Sequence, residues 1–154
     1  MRRLLILPVL AVFCLAMVSA EAATGRVVKM LPFFLDLQGR HMLGANLYER
    51  DSYQLHLREH PEERSGMRFD VQWKVHGTPA APLKIKIELR GGIKDGPIQQ
   101  TVLETEAKPG HWFSTWTSLK LLGDDYQNFG EVTAWRTTLW EGDKLIGEQK
   151  SFLW

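Results

Sequence analysis

The chain is almost free of cysteine. Its 154 residues include one, Cys14, and that residue lies in an apolar stretch near the N-terminus. Residues 23–154 have none, so they cannot be joined by disulfide bonds, although exported domains often use them. A domain built from these residues must be held together by its apolar core alone.

Long apolar runs are equally scarce. Arg2 and Arg3 precede one such run, residues 4–18, which is shorter than the roughly 20 residues of a membrane-spanning helix. Small residues follow it, and cleavage after Ala20 or Ala22 fits the rule for secretory signal peptides. We therefore predict a signal peptide over residues 1–22 and a secreted or periplasmic domain over residues 23–154. A retained membrane anchor is the alternative, and bulky Phe13 before Cys14 argues against a lipid anchor.

An excess of charge of either sign is also absent. Of the 19 basic and 18 acidic residues, two arginines and one glutamate lie within residues 1–22, which leaves 17 of each sign in the exported part. A nucleic-acid-binding domain normally shows a basic excess. Nucleic acid is therefore not an expected partner, and no membrane span is expected after the signal peptide.

Two stretches alternate strictly between apolar and polar residues, which is typical of half-buried strands. Their apolar residues are Met67, Phe69, Val71, Trp73 and Val75 in the first, and Leu83, Ile85, Ile87 and Leu89 in the second. The polar residues between them are expected to face solvent. These two stretches predict adjoining strands of a β-structure.

Five further stretches predict strands, and turn residues separate them. They are residues 25–37, 98–106, 112–122, 130–140 and 144–154. Pro32 indicates an edge or a bend in the first, and residues 141–143 indicate a hairpin turn between the last two. Seven short strands predict a mainly β fold, a two-sheet sandwich, with Trp73 and one face of the last hairpin in its core.

One helix is predicted, over residues 47–60. Asn46 is a typical N-cap, Glu49 stands three residues later as in a capping box, and Pro61 prevents continuation. The apolar residues of this segment fall on two sides of the helix. We expect the helix to pack against one end of the β-structure, with its charged residues in solvent.

Residues 67–154 resemble an immunoglobulin-like or fibronectin type III-like domain. The resemblance rests on Trp73 in an early core strand, on residues 83–89 in the next strand, and on Tyr126, which stands where such folds often have a tyrosine corner. It implies a seven-stranded immunoglobulin-like sandwich with one inserted helix. The whole exported part is also similar to small, uncharacterised exported bacterial proteins. The chain lacks the core cysteines of antibody domains, and such a fold implies no particular reaction.

The motif His56-Leu57-Arg58-Glu59-His60 matches the inverted zinc-protease pattern H-x-x-E-H. His56 and His60 would be the metal ligands and Glu59 the general base. Pro61 follows at once, and no third ligand can be named, although His41, Glu62 and Glu63 are near in sequence. No serine lies in a G-x-S-x-G setting and no cofactor motif is present. We therefore expect a non-enzymatic protein without a cofactor.

All six tryptophans lie in residues 23–154, and most of them could fill the core and its ends. Exposed tryptophans would instead stack on sugar rings or contact a protein. Trp112, Trp116 and Trp140 are the candidates for that role. The leading hypothesis is an exported interaction or structural module with an envelope protein as partner. The alternatives are a module that binds polysaccharide through exposed tryptophans, and a small zinc hydrolase.

Overall fold

The computed structural model describes residues 23–93, 95–110 and 114–154. Within these residues the chain forms seven strands, two α-helices and a single 3₁₀ turn. The strands are β1 (Thr24–Asp36), β2 (Arg64–His76), β3 (Leu83–Gly92), β4 (Gln99–Ala107), β5 (Thr115–Leu122), β6 (Glu131–Glu141) and β7 (Lys144–Lys150). The helices are α1 (Leu47–Glu59) and α2 (Gly123–Phe129), and the 3₁₀ turn is Pro61–Glu63.

The strands form two antiparallel sheets. The three-stranded sheet has the order β1-β2-β5, and the four-stranded sheet has the order β4-β3-β6-β7. The β1 and β7 edges of the two sheets lie against each other, and a Cβ on Gly147 would be 3.1 Å from the backbone of Arg26 and Val27. The predicted two-sheet β-sandwich with a helix is therefore confirmed. Pro32 lies on an edge strand, as expected.

The core fills the space between the sheets. Trp73, Phe69 and Val71 from β2 are fully buried, and they pack with Ile85 and Leu139 from β3 and β6. Further residues of the last hairpin are partly buried against this cluster: Trp135 and Ile146. The predicted core position of Trp73 and of one face of the hairpin is confirmed.

Helix α1 begins at Leu47, as predicted, and ends at Glu59, one residue before the predicted end. The Asn46 side chain accepts a hydrogen bond of 2.8 Å from the Glu49 backbone N–H, and the helix ends at Glu59 before Pro61. Leu57 is fully buried. The Gln54 side chain hydrogen-bonds both backbone groups of Phe34, so α1 lies along the outer edge of β1. No helix among the described residues is long and apolar enough to cross a bilayer.

The structure adds a second helix to the predicted elements, shortens the last strand, begins β2 at Arg64, and places α1 along the edge of β1 rather than at one end of the β-structure. Helix α2 was not predicted, and Tyr126 lies in this helix with its ring in the core. Asp124 and Asp125 occupy the first turn of α2, and Gly130 ends it with φ of 81°. Strand β7 ends at Lys150 rather than at the last residue, because Ser151 turns the chain and bonds back to the β6 backbone.

Candidate functional site

A groove of about 370 Å³ lies on the outer face of the three-stranded sheet. Helix α1 and the loop before it form one wall, and strand β5 forms the other. Ligand pockets are typically concave and of at least about 300 Å³. We call this cavity the Trp116 groove, and its lining residues are Lys29, Leu31, Phe33, His41, Met42, Arg50, Arg68, Asp70, Trp116 and Ser118.

The register of the three strands determines which residues form the floor of the groove. Asp70 of β2 lies between Leu31 of β1 and Ser118 of β5, so these three residues form one row across the sheet. The next row places Lys29 and Trp116 on either side of Gln72. Because side chains alternate between the faces of a strand, both rows point away from the core.

The polar part of the floor is already hydrogen-bonded within the protein. Asp70 Oδ1 accepts from Arg68 Nε at 2.7 Å and from Ser118 Oγ at 2.5 Å. Arg68 also donates to Ser118 Oγ at 3.1 Å. Each side chain is held by the other two, so their remaining donors and acceptors have fixed directions. Such an arrangement suits a ligand that carries hydroxyl groups.

The apolar part of the site is the ring of Trp116. Its side chain is 46% exposed. The ammonium of Lys29 lies 5.2 Å from the ring centroid, which is within the range of a cation–π interaction. The groove therefore offers an aromatic surface and a cation side by side.

Two residues of the opposite wall pack on Phe33. The His41 ring lies 5.2 Å from the Phe33 ring, and the Arg50 guanidinium lies 5.3 Å from it. Arg50 also forms a salt bridge of 2.7 Å with Asp51. Aromatic and cation–π packing thus joins this wall to strand β1.

Asp36 determines the course of the chain into the loop that carries His41. Its Oδ1 accepts from the backbone N–H of Gln38 and of Arg40, at 2.9 and 2.8 Å. Its Oδ2 accepts from Arg40 Nε at 2.8 Å and from the Tyr53 hydroxyl at 2.7 Å. One carboxylate therefore ties the end of β1, the loop and helix α1 together.

Gln54 fixes the same wall from the helix side. Its Oε1 accepts from the Phe34 backbone N–H at 2.8 Å, and its Nε2 donates to the carbonyls of Phe34 and His41 at 3.0 and 2.8 Å. The amide takes the place of a neighbouring strand at this edge of β1. Both Asp36 and Gln54 are positioning residues for the groove.

Burial raises the pKa of Asp36, but the hydrogen bonds from Tyr53, Arg40 and Gln38 outweigh it. Together they lower the pKa of Asp36 from its ordinary value of 3.8 to about 2. The charged form is favoured because every one of these bonds is donated to the carboxylate. In the unfolded chain these bonds are absent, so the folded state releases this proton more readily than the unfolded state does.

Acid is therefore expected to weaken the fold through Asp36. The stabilisation is fully present above the pKa that Asp36 has in the unfolded chain, and it is lost as the pH falls from about 4 toward 2. The free energy of unfolding should fall by about 1–2 kcal/mol over this window, after allowance for solvent screening. Urea unfolding at several pH values measures it. Asp36→Asn should flatten the profile in this window, whereas Asp143→Asn in the exposed hairpin turn should not. Equal profiles for wild type and Asp36→Asn would contradict the role of Asp36.

Burial also lowers the pKa of His41, and the positive charge of Arg68 adds to this effect. Asp70 acts in the opposite direction, and Arg50 and Lys120 lower the pKa further. The pKa of His41 therefore lies below its ordinary value, chiefly because burial disfavours the charged imidazolium.

The structure does not bring the tryptophans chosen from the sequence together. Trp116 lies on the outer face of the three-stranded sheet. Trp140 lies on the outer face of the four-stranded sheet, beside Lys84, where its Nε1 donates to Thr138 Oγ1 at 2.8 Å. Trp112 lies outside the described residues. The two described candidates therefore cannot form one platform.

The histidines of the zinc motif lie at the end of α1. Their rings stack with centroids 4.2 Å apart, and His56 Nε2 lies 2.8 Å from Glu63 Oε2. His60 Nδ1 lies 2.9 Å from the His56 carbonyl oxygen. Among the side chains that the structure describes, no three His, Cys, Asp or Glu are grouped to hold a metal ion. The zinc hydrolase stays a prediction without a site to support it.

Sequence reasoning singled out Trp116 but missed its neighbours Lys29, Arg68, Asp70 and Ser118. The signal for Arg68 and Asp70 was the polar row of the alternating strand, which we assigned to solvent, whereas Ser118 carried no such signal. Comparison with known proteins adds no further guide: no family model, no curated protein and no solved structure matches this chain.

Proposed function

We propose that residues 23–154 form an exported, non-enzymatic binding module, and that a saccharide occupies the Trp116 groove. The observation that carries this proposal is the exposed ring of Trp116 beside the hydrogen-bonded row of Asp70, Ser118 and Arg68. The apolar face of a pyranose ring stacks on an aromatic side chain, and its hydroxyl groups need fixed polar partners. The groove supplies both within two adjacent rows of one sheet.

The polar row keeps hydrogen-bonding capacity for a ligand. Both protein bonds to the Asp70 carboxylate use Oδ1, and within the described part of the chain no bond is formed to Oδ2. A carboxylate has about four acceptor sites, and a guanidinium has five donors. Asp70 and Arg68 can therefore bond to sugar hydroxyls without breaking their own contact.

The resemblance to immunoglobulin-like and fibronectin type III-like domains fits this role. It is supported by the division of the strands into a sheet of three and a sheet of four. Loops and outer faces of such sandwiches often bind ligands, while the core provides rigidity. Export by the signal peptide that the sequence predicts would bring the module to the periplasm or the medium, where polysaccharides are accessible.

Trp116→Ala is expected to weaken saccharide binding at least ten-fold, or by about 1.4 kcal/mol, because truncating an aromatic anchor removes most of the contact surface. Affinity electrophoresis of residues 23–154 through a series of soluble polysaccharides identifies a ligand, and calorimetry then gives the dissociation constants. Trp140→Ala is the matched control, since it removes the same side chain from the opposite outer face. Equal losses in both variants, or retardation by none of the polysaccharides, would contradict the proposal.

A protein partner is the second candidate, and an apolar surface favours it. Leu43 and Tyr48, the latter 83% exposed, line a shallow depression beside α1, and exposed Leu47 is the neighbour of Tyr48 in the chain. Exposed apolar patches of this kind often contact other proteins. The test is capture of an envelope protein with saturable binding. Capture by the Trp116→Ala variant but not by the Tyr48→Ser variant would favour this function over the first.

A further inference from the structure

Strand β1 contains a bulge immediately before Lys29. Val27 pairs with Trp73 and points into the core, and the register then shifts so that Lys29 pairs with Gln72. A bulge inserts one residue and re-aims the side chains that follow it. Without it, the alternation from Val27 would turn Lys29 inward. With it, Lys29 points outward beside Trp116, and Met30 takes the buried position.

The ammonium of Lys29 lies over the Trp116 ring, 5.2 Å from its centroid. Lys29 is exposed, and within the described ranges it forms no salt bridge. A saccharide that stacks on this face of Trp116 must therefore displace the ammonium or bind to it. A displaced ammonium loses a cation–π contact.

The two arginines that line the groove are each paired with a carboxylate. Arg50 forms a salt bridge with Asp51, and Arg68 forms one with Asp70. Within the described ranges Lys29 is thus the cation of the lining that no carboxylate pairs with, and it is the group that attracts an anionic ligand.

We propose that the Trp116 groove selects acidic saccharides, with the sugar carboxylate paired to the Lys29 ammonium while the pyranose ring stacks on Trp116. This inference depends on the saccharide site proposed above. The acidic sugar replaces the contact between Lys29 and the ring with a charge-assisted hydrogen bond, which is roughly twice as strong as a neutral one. A neutral sugar displaces Lys29 without providing such a replacement.

Calorimetry with hexagalacturonate and with the same oligomer after reduction of its carboxyl groups tests the inference. Wild-type residues 23–154 should bind the acidic oligomer about ten-fold more tightly at about 20 mM salt, and this advantage should shrink several-fold at about 500 mM. Lys29→Gln should weaken binding of the acidic oligomer by about ten-fold. It should leave binding of the reduced oligomer unchanged or tighter, because no ammonium then covers the ring.

Lys144→Gln is the matched control, because it removes the same charge from an exposed position in the four-stranded sheet, outside the groove lining. It should change the affinity for the acidic oligomer less than about two-fold. Thermal unfolding monitored by circular dichroism confirms that each variant is folded.

The outcomes separate the two proposals. If the acidic and the reduced oligomer bind equally well, and Lys29→Gln changes neither affinity, the saccharide site stands and the proposed selectivity for acidic sugars is overturned. Binding of neither oligomer, nor of any neutral polysaccharide, overturns both. Binding of hexaglutamate as tight as that of hexagalacturonate shows that charge alone is recognised, and it overturns the assignment of a sugar ligand.

Discussion

Replacing Trp73 with alanine is expected to lower the free energy of unfolding by about 3–5 kcal/mol, the range for truncating a buried large aromatic side chain. Trp73 is fully buried between the sheets, and β1 contributes Val27 as its cross-strand neighbour. Its Nε1 donates to Thr117 Oγ1 at 2.9 Å, so truncation also leaves this hydroxyl without its donor. With no disulfide to support the domain, a loss of this size removes much of the 5–15 kcal/mol typical of a domain.

Urea unfolding followed by circular dichroism measures this loss. Trp73→Phe should cost less, about 1–2 kcal/mol, because it keeps an aromatic ring in the core and loses mainly the hydrogen bond. Trp116→Ala on the surface should change the free energy of unfolding by less than about 1 kcal/mol. A Trp73→Ala variant as stable as Trp116→Ala would contradict the burial of Trp73.

Arg64→Ala is expected to lower the free energy of unfolding by about 2–4 kcal/mol, because charge-assisted hydrogen bonds contribute about 1.5–3 kcal/mol each. The Arg64 guanidinium donates to the backbone carbonyls of Leu57 and Arg58, in the last turn of α1. These carbonyls have no partner within the helix. The guanidinium also lies 4.0 Å from the Phe34 ring. One buried side chain thus holds the end of α1 against β1.

This substitution should also affect the Trp116 groove. Helix α1 carries Tyr53 and Gln54, which position the groove wall. Fraying of its last turn should therefore weaken saccharide binding and speed hydrogen exchange of the α1 amides. Arg64→Lys should recover part of the stability, since an ammonium cannot reach both carbonyls as the planar guanidinium does. Arg58→Ala, at an exposed position, is the control, and a similar loss in both variants would contradict the role of Arg64.

Local patterns were sufficient for most of the fold. The alternation of apolar and polar residues over residues 67–75 and 83–89 determines which side chains face the core, because successive side chains of a strand point to opposite faces. Asn46 and Pro61 determine where α1 begins and ends, since both act on the adjacent backbone. Helix α2 escaped prediction because seven residues are too few for a periodic pattern, and Asp124 and Asp125 are equally typical of a turn.

The candidate site depended on contacts between residues far apart in sequence. The sequence made Trp116 and Trp140 candidates for exposed side chains, but it does not state which sheet each strand joins. Strand pairing put them on opposite outer faces. Lys29 reached Trp116 through a register shift that the sequence of β1 does not indicate.

The sequence by itself thus determined the number of strands and which of their side chains are apolar. It also determined the core position of Trp73 and, to within one residue, the bounds of α1, because these features follow from neighbouring residues. Tertiary structure alone decided that Lys29, Asp70 and Trp116 share one groove. These residues come from three strands, and the register between the strands sets the distances between them.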